Sequence, residues 1–352
     1  MRFVNSDDHS RSLIPLPAAS LALARPEGGR VLSEMLSDTL ALARGEPLRK
    51  IGEYEWCEPD YRQILLWAEA LALEPVEVIR RLLDSESVYF QTYGEDWKPT
   101  TSSWGEETAF RNGRIVNLNW TLDLLPLDNF RWVAGMEIEY FRVAPSETTP
   151  GALPPFHLAL PKLQKLCWSL MDVEQLDLSQ VPKLVELECA YNELTELDLS
   201  KVPILAAISC AENRLTELDL SNLPLLTSLD CMENKLTELD LSAVPKLRVL
   251  WSNQNHLTNL ILSPLPMLEK LGCVDNQIAD LDLSTVPALQ SLYCERNQLT
   301  KLDLSKVLAL KHLDCSGNCI DQLDIRLLHH LETLAFDADR TRLIQRPDQH
   351  FQ

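Results

Sequence analysis

Several motifs that mark common function classes are missing from this chain of 352 residues. It contains no Gly-rich phosphate loop, no HExxH motif and no GxSxG motif. No window approaches the length and apolarity of a membrane span, and residues 1–17 lack the apolar run of a signal peptide. These absences argue against P-loop, zinc-protease and serine-hydrolase chemistry. They predict a soluble protein that is made in the cytoplasm.

Basic residues are also scarce. The chain has 32 Lys and Arg against 52 Asp and Glu, which gives a formal net charge of -20, and the acidic residues are spread over both halves. Such a surface repels nucleic acid and anionic membranes. It favours a basic protein partner or serves solubility alone. We therefore expect neither a nucleic-acid partner nor a membrane partner.

One 21-residue unit is repeated eight times between Leu163 and His330. Its pattern is Leu-x-x-Leu-x-Cys-x-x-Asn-x-Leu-Thr-x-Leu-Asp-Leu-Ser-x-x-Pro-x. A fixed period of this length predicts a solenoid, because a single unit cannot bury its apolar face and stacked units can. Alternation in Leu-x-Cys predicts a strand, and Leu-Asp-Leu repeats that alternation with no room left for a helix. The sequence therefore predicts a mainly β solenoid with two short parallel strands in each coil.

An asparagine ends the first strand of almost every coil. Its side chain can satisfy backbone amides and carbonyls of its own coil and of the adjacent one. Stacked copies are therefore expected to form a structural ladder inside the solenoid. Its members are Asn192, Asn213, Asn234, Asn255, Asn276, Asn297 and Asn318.

Nine cysteines would indicate a disulfide framework in a short secreted chain, but most of them share one repeat phase. That phase points inward, so we expect small apolar thiols in the core, in keeping with a reducing cytosol. Ser252 and Trp168 take the same place in two coils. The six cysteines of this phase are Cys189, Cys210, Cys231, Cys273, Cys294 and Cys315.

The repeat resembles the leucine-rich repeat superfamily, in particular the bacterial 21-residue class called IRREKO, which has the consensus LxxLxCxxNxLxxLDL. The resemblance covers about residues 163–336. Ser252 replaces the cysteine, Ile261 the outward aspartate and Leu308 the proline in one coil each. The resemblance implies a bacterial source and a protein-binding solenoid, and it implies no reaction.

The chain before the repeats predicts a small α-helical N-terminal domain and a β-hairpin cap. One helix is expected from about Asp60 and another from Pro75, which suits a first helical turn. The predicted units are an extended lead-in (1–28), the helical domain (29–86), a linker (87–106), the hairpin cap with degenerate repeats (107–162), the regular repeats (163–336) and a closing tail (337–352).

The hairpin prediction rests on Asn112-Gly113, a dipeptide that favours a two-residue turn between strands. Two segments after it repeat the apolar spacing of the strand motif. They are Ile115-x-x-Leu118-x-Trp120 and Val133-x-x-Met136-x-Ile138. We interpret them as two degenerate coils behind a cap that shields the open end of the solenoid.

The outward positions of the first strand give a candidate binding surface. They are acidic and carry aromatic residues, which is typical of a hot spot for a basic protein or peptide. The alternative is a solvated face with scattered aromatic residues. The candidate binding residues are Glu186, Glu188, Tyr191, Glu212, Asp230, Glu233, Trp251 and Tyr293.

Other readings remain open. The outward aspartates, one per coil, need partners at the corner or could hold calcium, although the glycines of known calcium repeats are missing. Cys315, Cys319 and His312 together suggest a zinc site, but Cys315 points inward and His312 outward.

We expect no cofactor, no metal and no catalytic residue. An exported bacterial effector that binds a host protein is one alternative, and an enzyme or enzyme accessory with its activity in residues 1–114 is another.

Overall fold

A single sheet of twelve strands runs through a computed structural model that describes residues 48–52, 54–84, 109–111, 114–121, 136, 138–144, 158–262 and 264–349. The sheet begins with an antiparallel pair and continues as parallel strands to the last coil. Its strands are β3 (Ala109–Arg111), β4 (Arg114–Thr121), β5 (Tyr140–Ala144), β6 (Lys165–Cys167), β7 (Glu186–Glu188), β8 (Ala207–Ser209), β9 (Ser228–Asp230), β10 (Val249–Trp251), β11 (Lys270–Gly272), β12 (Ser291–Tyr293), β13 (His312–Asp314) and β15 (Thr333–Ala335).

The strands from β6 onward stack in a constant register. Leu187 lies beside Leu166 and Ile208, and every neighbour along the sheet is 21 residues away. The central residue of each strand from β6 to β13 is buried, as is the inward cysteine that follows it in six coils. The fold is therefore a parallel β solenoid of leucine-rich repeats, which confirms the predicted fold class.

Side-chain amides of the asparagines connect each coil to the one before it. In a typical coil, Asn234 donates to the carbonyls of Cys210 and Cys231, at 3.0 and 3.2 Å. Its Oδ1 accepts the amide of Leu215 at 2.9 Å. All seven asparagines are buried and make the same kind of contacts. They supply partners to backbone groups that the turn leaves unpaired.

The second half of each coil differs from the prediction of a second strand. Leu197 and Leu199 are buried and Asp198 is exposed, so the expected alternation is present. Apart from an isolated bridge at Asp177, strand pairing on this side of the described solenoid is found only between β14 (Gln322–Asp324) and β16 (Arg342–Ile344). Elsewhere the backbone amides of Val202 and Leu205 bond to carbonyls of their own turn. These local bonds replace a ladder between coils.

The N-terminal unit contains a hairpin and two helices. Strand β1 (Arg49–Ile51) pairs with β2 (Tyr54–Trp56), a hairpin that the helical reading did not predict. Helix α1 (Glu58–Ala70) begins two residues before the predicted start, and α2 (Pro75–Asp84) begins at the predicted proline. The predicted lead-in (1–28), residues 29–47 of the predicted helical domain and the predicted linker (87–106) lie outside the described residues.

Asp60 attaches this unit to the sheet. The residue is fully buried in the first turn of α1, and its Oδ1 accepts the amide of Ile115 on β4 at 2.8 Å. A carboxylate that bonds a backbone amide across 55 residues holds the helical unit against the N-terminal end of the solenoid.

The degenerate coils are in a different register from the one predicted. Strand β5 pairs with β4 so that Phe141 lies beside Leu118. The second degenerate motif is therefore Ile138-x-x-Phe141-x-Val143, whose three apolar residues are buried, rather than a motif centred on Met136. The register predicted from the repeat spacing is wrong here because β5 follows β4 by 23 residues and precedes β6 by 25. Val133 lies outside the described residues.

Residues of the predicted tail form the last described turn. Asp337 accepts the amides of Gly317 and Asn318, at 3.0 and 3.1 Å, whereas the equivalent amides of earlier coils bond to backbone carbonyls of the following coil. Gln349 donates to the carbonyls of Ile325 and Leu328, at 3.1 Å each. The tail therefore continues the winding. Neither α1 nor α2, the helices that the structure describes, has the length and apolarity needed to cross a bilayer.

We expect Asn234→Ala to destabilise the solenoid by about 3 kcal/mol, because it leaves at least two buried backbone groups without a partner. Urea unfolding followed by circular dichroism measures the change. Asn259→Ala is the matched control, since Asn259 is exposed on the neighbouring coil, and it should cost less than about 0.5 kcal/mol. Equal losses in the two variants would contradict the role given to the ladder.

Candidate binding face

The outward side chains of β6–β13 and β15 form one surface, which we call the strand face. Equivalent positions lie side by side because the register is constant. The row that precedes the inward cysteine contains a symmetric group at its centre, in which two aspartates flank two aromatic residues and a glycine. In spatial order its members are Asp230, Trp251, Gly272, Tyr293 and Asp314.

Trp251 lies across Gly272. A Cβ atom at residue 272 would lie 2.3 Å from Cε3 of the indole and 2.8 Å from Oδ1 of Asn253, so only glycine permits this position. The indole also contacts Tyr293, with ring centroids 5.8 Å apart and ring planes inclined by 32°. Both aromatic side chains are partly exposed. The three residues form a platform that spans three coils.

The N-terminal end of the strand face is an internal ion-pair network. Nζ of Lys165 lies 3.0 Å from Glu188 and 3.3 Å from Glu186. The thiol of Cys167 donates to Glu188 at 3.0 Å. Glu186 is only 4% exposed, so the expectation that it lies open to a partner is wrong. Lys165, which lies beside Glu186 on the adjacent strand, neutralises part of the predicted acidic patch.

The centre of the strand face carries carboxylates that have no cation beside them. Among the described residues no ion pair forms with Glu212, Asp230 or Glu233. Burial raises the pKa of Asp230 to about 6, and the nearby charges of Glu212 and Glu233 add to the shift. Asp230 is 2% exposed, which corrects the prediction of an outward, solvated residue. Ser209 and Trp251 lie beside it on the adjacent strands.

Tyr191 belongs to the same cluster. Burial raises the pKa of its hydroxyl to about 12, and a hydrogen bond to the carboxylate of Glu212 contributes. Glu233 is exposed, and burial together with the charge of Glu212 raises its pKa as well. The centre of the face is therefore a region of negative potential that the described chain does not compensate.

On the C-terminal side of the platform carboxyl groups again lie close together, but one of them has a cationic partner. Burial raises the pKa of Glu295 to about 7, and Asp314 adds to the shift. Oε2 of Glu295 is buried without a hydrogen-bond partner in the described structure. Asp275 nearby is instead neutralised by Arg296, whose Nε lies 2.5 Å from its carboxylate.

The structure thus divides the eight predicted binding residues into three groups. Glu186 and Glu188 belong to the ion-pair network, Trp251 and Tyr293 to the platform, and the remaining four to the acidic centre between them. Sequence reasoning gave no role to Lys165 and Gly272. Gly272 could have been recognised from the sequence, since it is the only glycine in its row.

The opposite side of the solenoid carries the outward aspartates, and we call it the aspartate side. A groove of about 1280 Å³ runs along it, lined by pairs such as Glu217 and Asp219. Six of the outward aspartates accept the amide of the serine two residues later, for example Ser221 at 2.8 Å, and this bond lowers the pKa of Asp219. Asp324 accepts the amide of Arg326 instead. The expected partners at the corner are therefore present.

The described residues contain no group of three His, Cys, Asp or Glu side chains placed to hold a metal ion. Of the residues considered for a zinc site, Cys315 is buried in the core, whereas His312 contacts Thr333 at 3.0 Å on the strand face. All nine cysteines are free thiols and eight are buried. Burial raises the pKa of Cys189 and Cys273 to about 12, so these thiols are protonated and poorly nucleophilic.

The fold defines a leucine-rich repeat protein. No protein-family model matches the chain, and no curated protein sequence matches it. Among solved structures, the functional domain of InlJ from Listeria monocytogenes, described as including a cysteine ladder, is similar, with a TM-score of 0.50 and 26% sequence identity. The match covers 68% of this chain and 54% of that domain. The chain thus spans about half of the InlJ domain.

A second similar structure is the Toll–Spätzle complex from Drosophila. It has a TM-score of 0.51 and 19% identity, and the match covers 66% of this chain and 36% of the other. At this identity the likeness establishes the fold alone. In this chain, buried cysteines recur at one phase of the repeat, and the description of the InlJ domain mentions a cysteine ladder.

Stability should depend on pH through Asp230. The pKa of Asp230 is about 6 in the folded protein, and its ordinary value is 3.8. Between about pH 4 and 6 the carboxyl group is therefore protonated in the folded state and ionised in the unfolded state. Stability contributed by this group therefore falls as pH rises through that range. We expect Asp230→Asn to raise the free energy of unfolding by about 2 kcal/mol at pH 7.5 and to change it little at pH 4.

Asp219→Asn is the matched control, since it removes the same charge from the aspartate side. The pKa of Asp219 is lowered, so its carboxylate favours the folded state at neutral pH and loses that effect as pH falls below about 4. This variant should not gain stability at pH 7.5. A loss of stability in Asp230→Asn at pH 7.5 would contradict the description of the acidic centre.

Proposed function

We propose that this chain is a non-enzymatic interaction protein whose strand face binds a basic protein or peptide. The observation that carries the proposal is the acidic centre formed by Glu212, Asp230 and Glu233. These carboxylates have no ion-pair partner among the described residues, and they adjoin the platform of Trp251 and Tyr293.

The charges of the acidic centre favour a cationic partner for a physical reason. Beside burial, the charges of Glu212 and Glu233 raise the pKa of Asp230, and the charge of Glu212 raises the pKa of Glu233. Like charges held this close repel, and a cation placed among them relieves that repulsion. Aromatic side chains beside such charges supply the apolar contact that most often dominates the energy of an interface. The partner's basic charge would also speed its association with a chain of net charge -20.

The fold supports an interaction role without defining the partner. Stacked coils present a continuous surface, and solenoids commonly bind other proteins on such surfaces. The Toll structure contains the same kind of fold in a complex with Spätzle. We also propose that the chain belongs to the bacterial 21-residue IRREKO class, because the period and the buried cysteine found in six coils support it. A cytoplasmic location is proposed from the free, buried thiols.

The test uses fluorescein-labelled octapeptides that contain four basic residues or four glutamates, with binding followed by fluorescence anisotropy. The intact chain should bind the basic peptide and not the acidic one, and a rise from 50 to 200 mM salt should weaken binding several-fold because exposed charges are screened. Glu212→Gln/Glu233→Gln should reduce affinity by about 10-fold or more, since two charge pairs are lost.

A charge-matched control separates the strand face from the net charge of the protein. Glu217→Gln/Glu238→Gln removes two charges from the groove on the aspartate side. It should leave affinity within about 2-fold of the parent value, because those carboxylates lie across the solenoid and are screened from the strand face. Equal losses in both double variants would show that general acidity, and not the strand face, attracts the peptide.

A further inference from the structure

We propose that the centre of the strand face recognises an arginine side chain of the partner, whose guanidinium stacks on the outward face of the Trp251 indole. This inference rests on the proposed function and specifies the chemical group that is bound there. The observations that carry it are the glycine beneath the indole, the geometry of the two rings and the placement of the flanking carboxylates.

Gly272 fixes the orientation of the indole. The ring edge occupies the space that a Cβ at residue 272 would need, at 2.3 Å from Cε3 and 2.6 Å from Cζ3. The edge of the indole therefore packs against the backbone of the sheet at residue 272. Trp251 as a whole is partly exposed, so part of its aromatic surface remains open to solvent.

The two rings cannot hold a ligand between them. Their centroids are 5.8 Å apart, whereas a planar group sandwiched between two aromatic rings needs about 7 Å, twice the usual contact distance. A ligand must instead lie on top of the platform, against the indole face and beside Tyr293. A planar cation fits this surface better than a compact one, because it keeps its whole face in contact with the ring.

Carboxylates stand on both sides of the platform in the same row. Asp230 lies beside Trp251, and Asp314 lies beside Tyr293. Next to them, Glu233 is exposed, and Glu295 has a buried oxygen with no hydrogen-bond partner in the described structure. Strand spacing of about 4.8 Å places the two aspartate backbones about 19 Å apart. The platform is thus a neutral aromatic surface between two regions of negative potential.

Guanidinium suits this combination better than ammonium. It is planar and weakly hydrated, it stacks on aromatic faces, and its five N–H donors can reach a carboxylate while the plane stays on the ring. A lysine ammonium holds its water more strongly and gains only a point-charge interaction. Lysine would satisfy the carboxylates alone, and the platform would contribute little.

The test compares two fluorescein-labelled octapeptides of equal charge, one alternating glycine with arginine and the other alternating glycine with lysine. We expect the arginine peptide to bind the intact chain about 10-fold more tightly, within the range of a cation–π contact at a partly exposed site. Trp251→Ala should reduce the arginine peptide to the affinity of the lysine peptide. Trp251→Phe should keep part of the preference.

Gly272→Ala provides an independent variant that retains the tryptophan. The added Cβ must displace the indole, so the preference for arginine should fall although no aromatic or charged group is lost. Circular dichroism confirms that each variant is folded before it is compared. Glu212→Gln/Glu233→Gln should weaken both peptides and leave the ratio of their affinities unchanged within about 2-fold.

The outcomes separate this inference from the proposed function. Equal affinities for the two peptides, tighter binding of the lysine peptide, or a preference that survives both Trp251→Ala and Gly272→Ala would overturn the arginine proposal. If both peptides still bind and depend on Glu212 and Glu233, the proposed function stands. If neither peptide binds, both proposals are wrong.

Discussion

The burial of backbone amides and carbonyls at the turn after each strand is the constraint on which the rest of the structure depends. The chain leaves the strand and turns inside a stack of coils, where water cannot satisfy the freed polar groups. The asparagine of each coil supplies those groups from within, and it bonds both its own coil and the preceding one. Because each asparagine bonds two coils at once, a shift of one residue would break the whole series. The ladder therefore holds the 21-residue register constant.

A constant register is also what makes the strand face a possible binding surface. Residues 21 positions apart are brought side by side. The residues that differ from one repeat to the next therefore lie in rows on one surface. The group of Asp230, Trp251, Gly272, Tyr293 and Asp314 exists because five coils carry different residues at one phase. At the other end of the face, Lys165 neutralises Glu186 and Glu188. The negative potential is consequently concentrated at the centre and the C-terminal side, next to the platform.

The architecture could be predicted from the sequence wherever one period governs it. The leucine and cysteine phases predict the core, and the asparagine phase predicts the inward turn. The prediction failed where spacing departs from 21, as for Phe141, whose strand follows its neighbour by 23 residues. It also failed where side-chain length decides exposure. Asp230 shares its phase with Trp251, but its short carboxylate is buried beside the larger indole. The role of Gly272 depends on the indole that covers it, and a repeat pattern contains no information about that contact.

The central claim is that a cationic partner contacts the platform on the strand face. Fluorine NMR of the full chain labelled with 5-fluorotryptophan tests it most directly, since each of the eight tryptophans gives one resonance. Trp251→Phe assigns the resonance of Trp251 by its disappearance. During titration with the arginine peptide, the account predicts a progressive shift of the Trp251 resonance, while that of the buried Trp168 stays in place. Binding that leaves Trp251 unchanged and shifts Trp56 or Trp67 instead would contradict the account and place the site on the N-terminal unit.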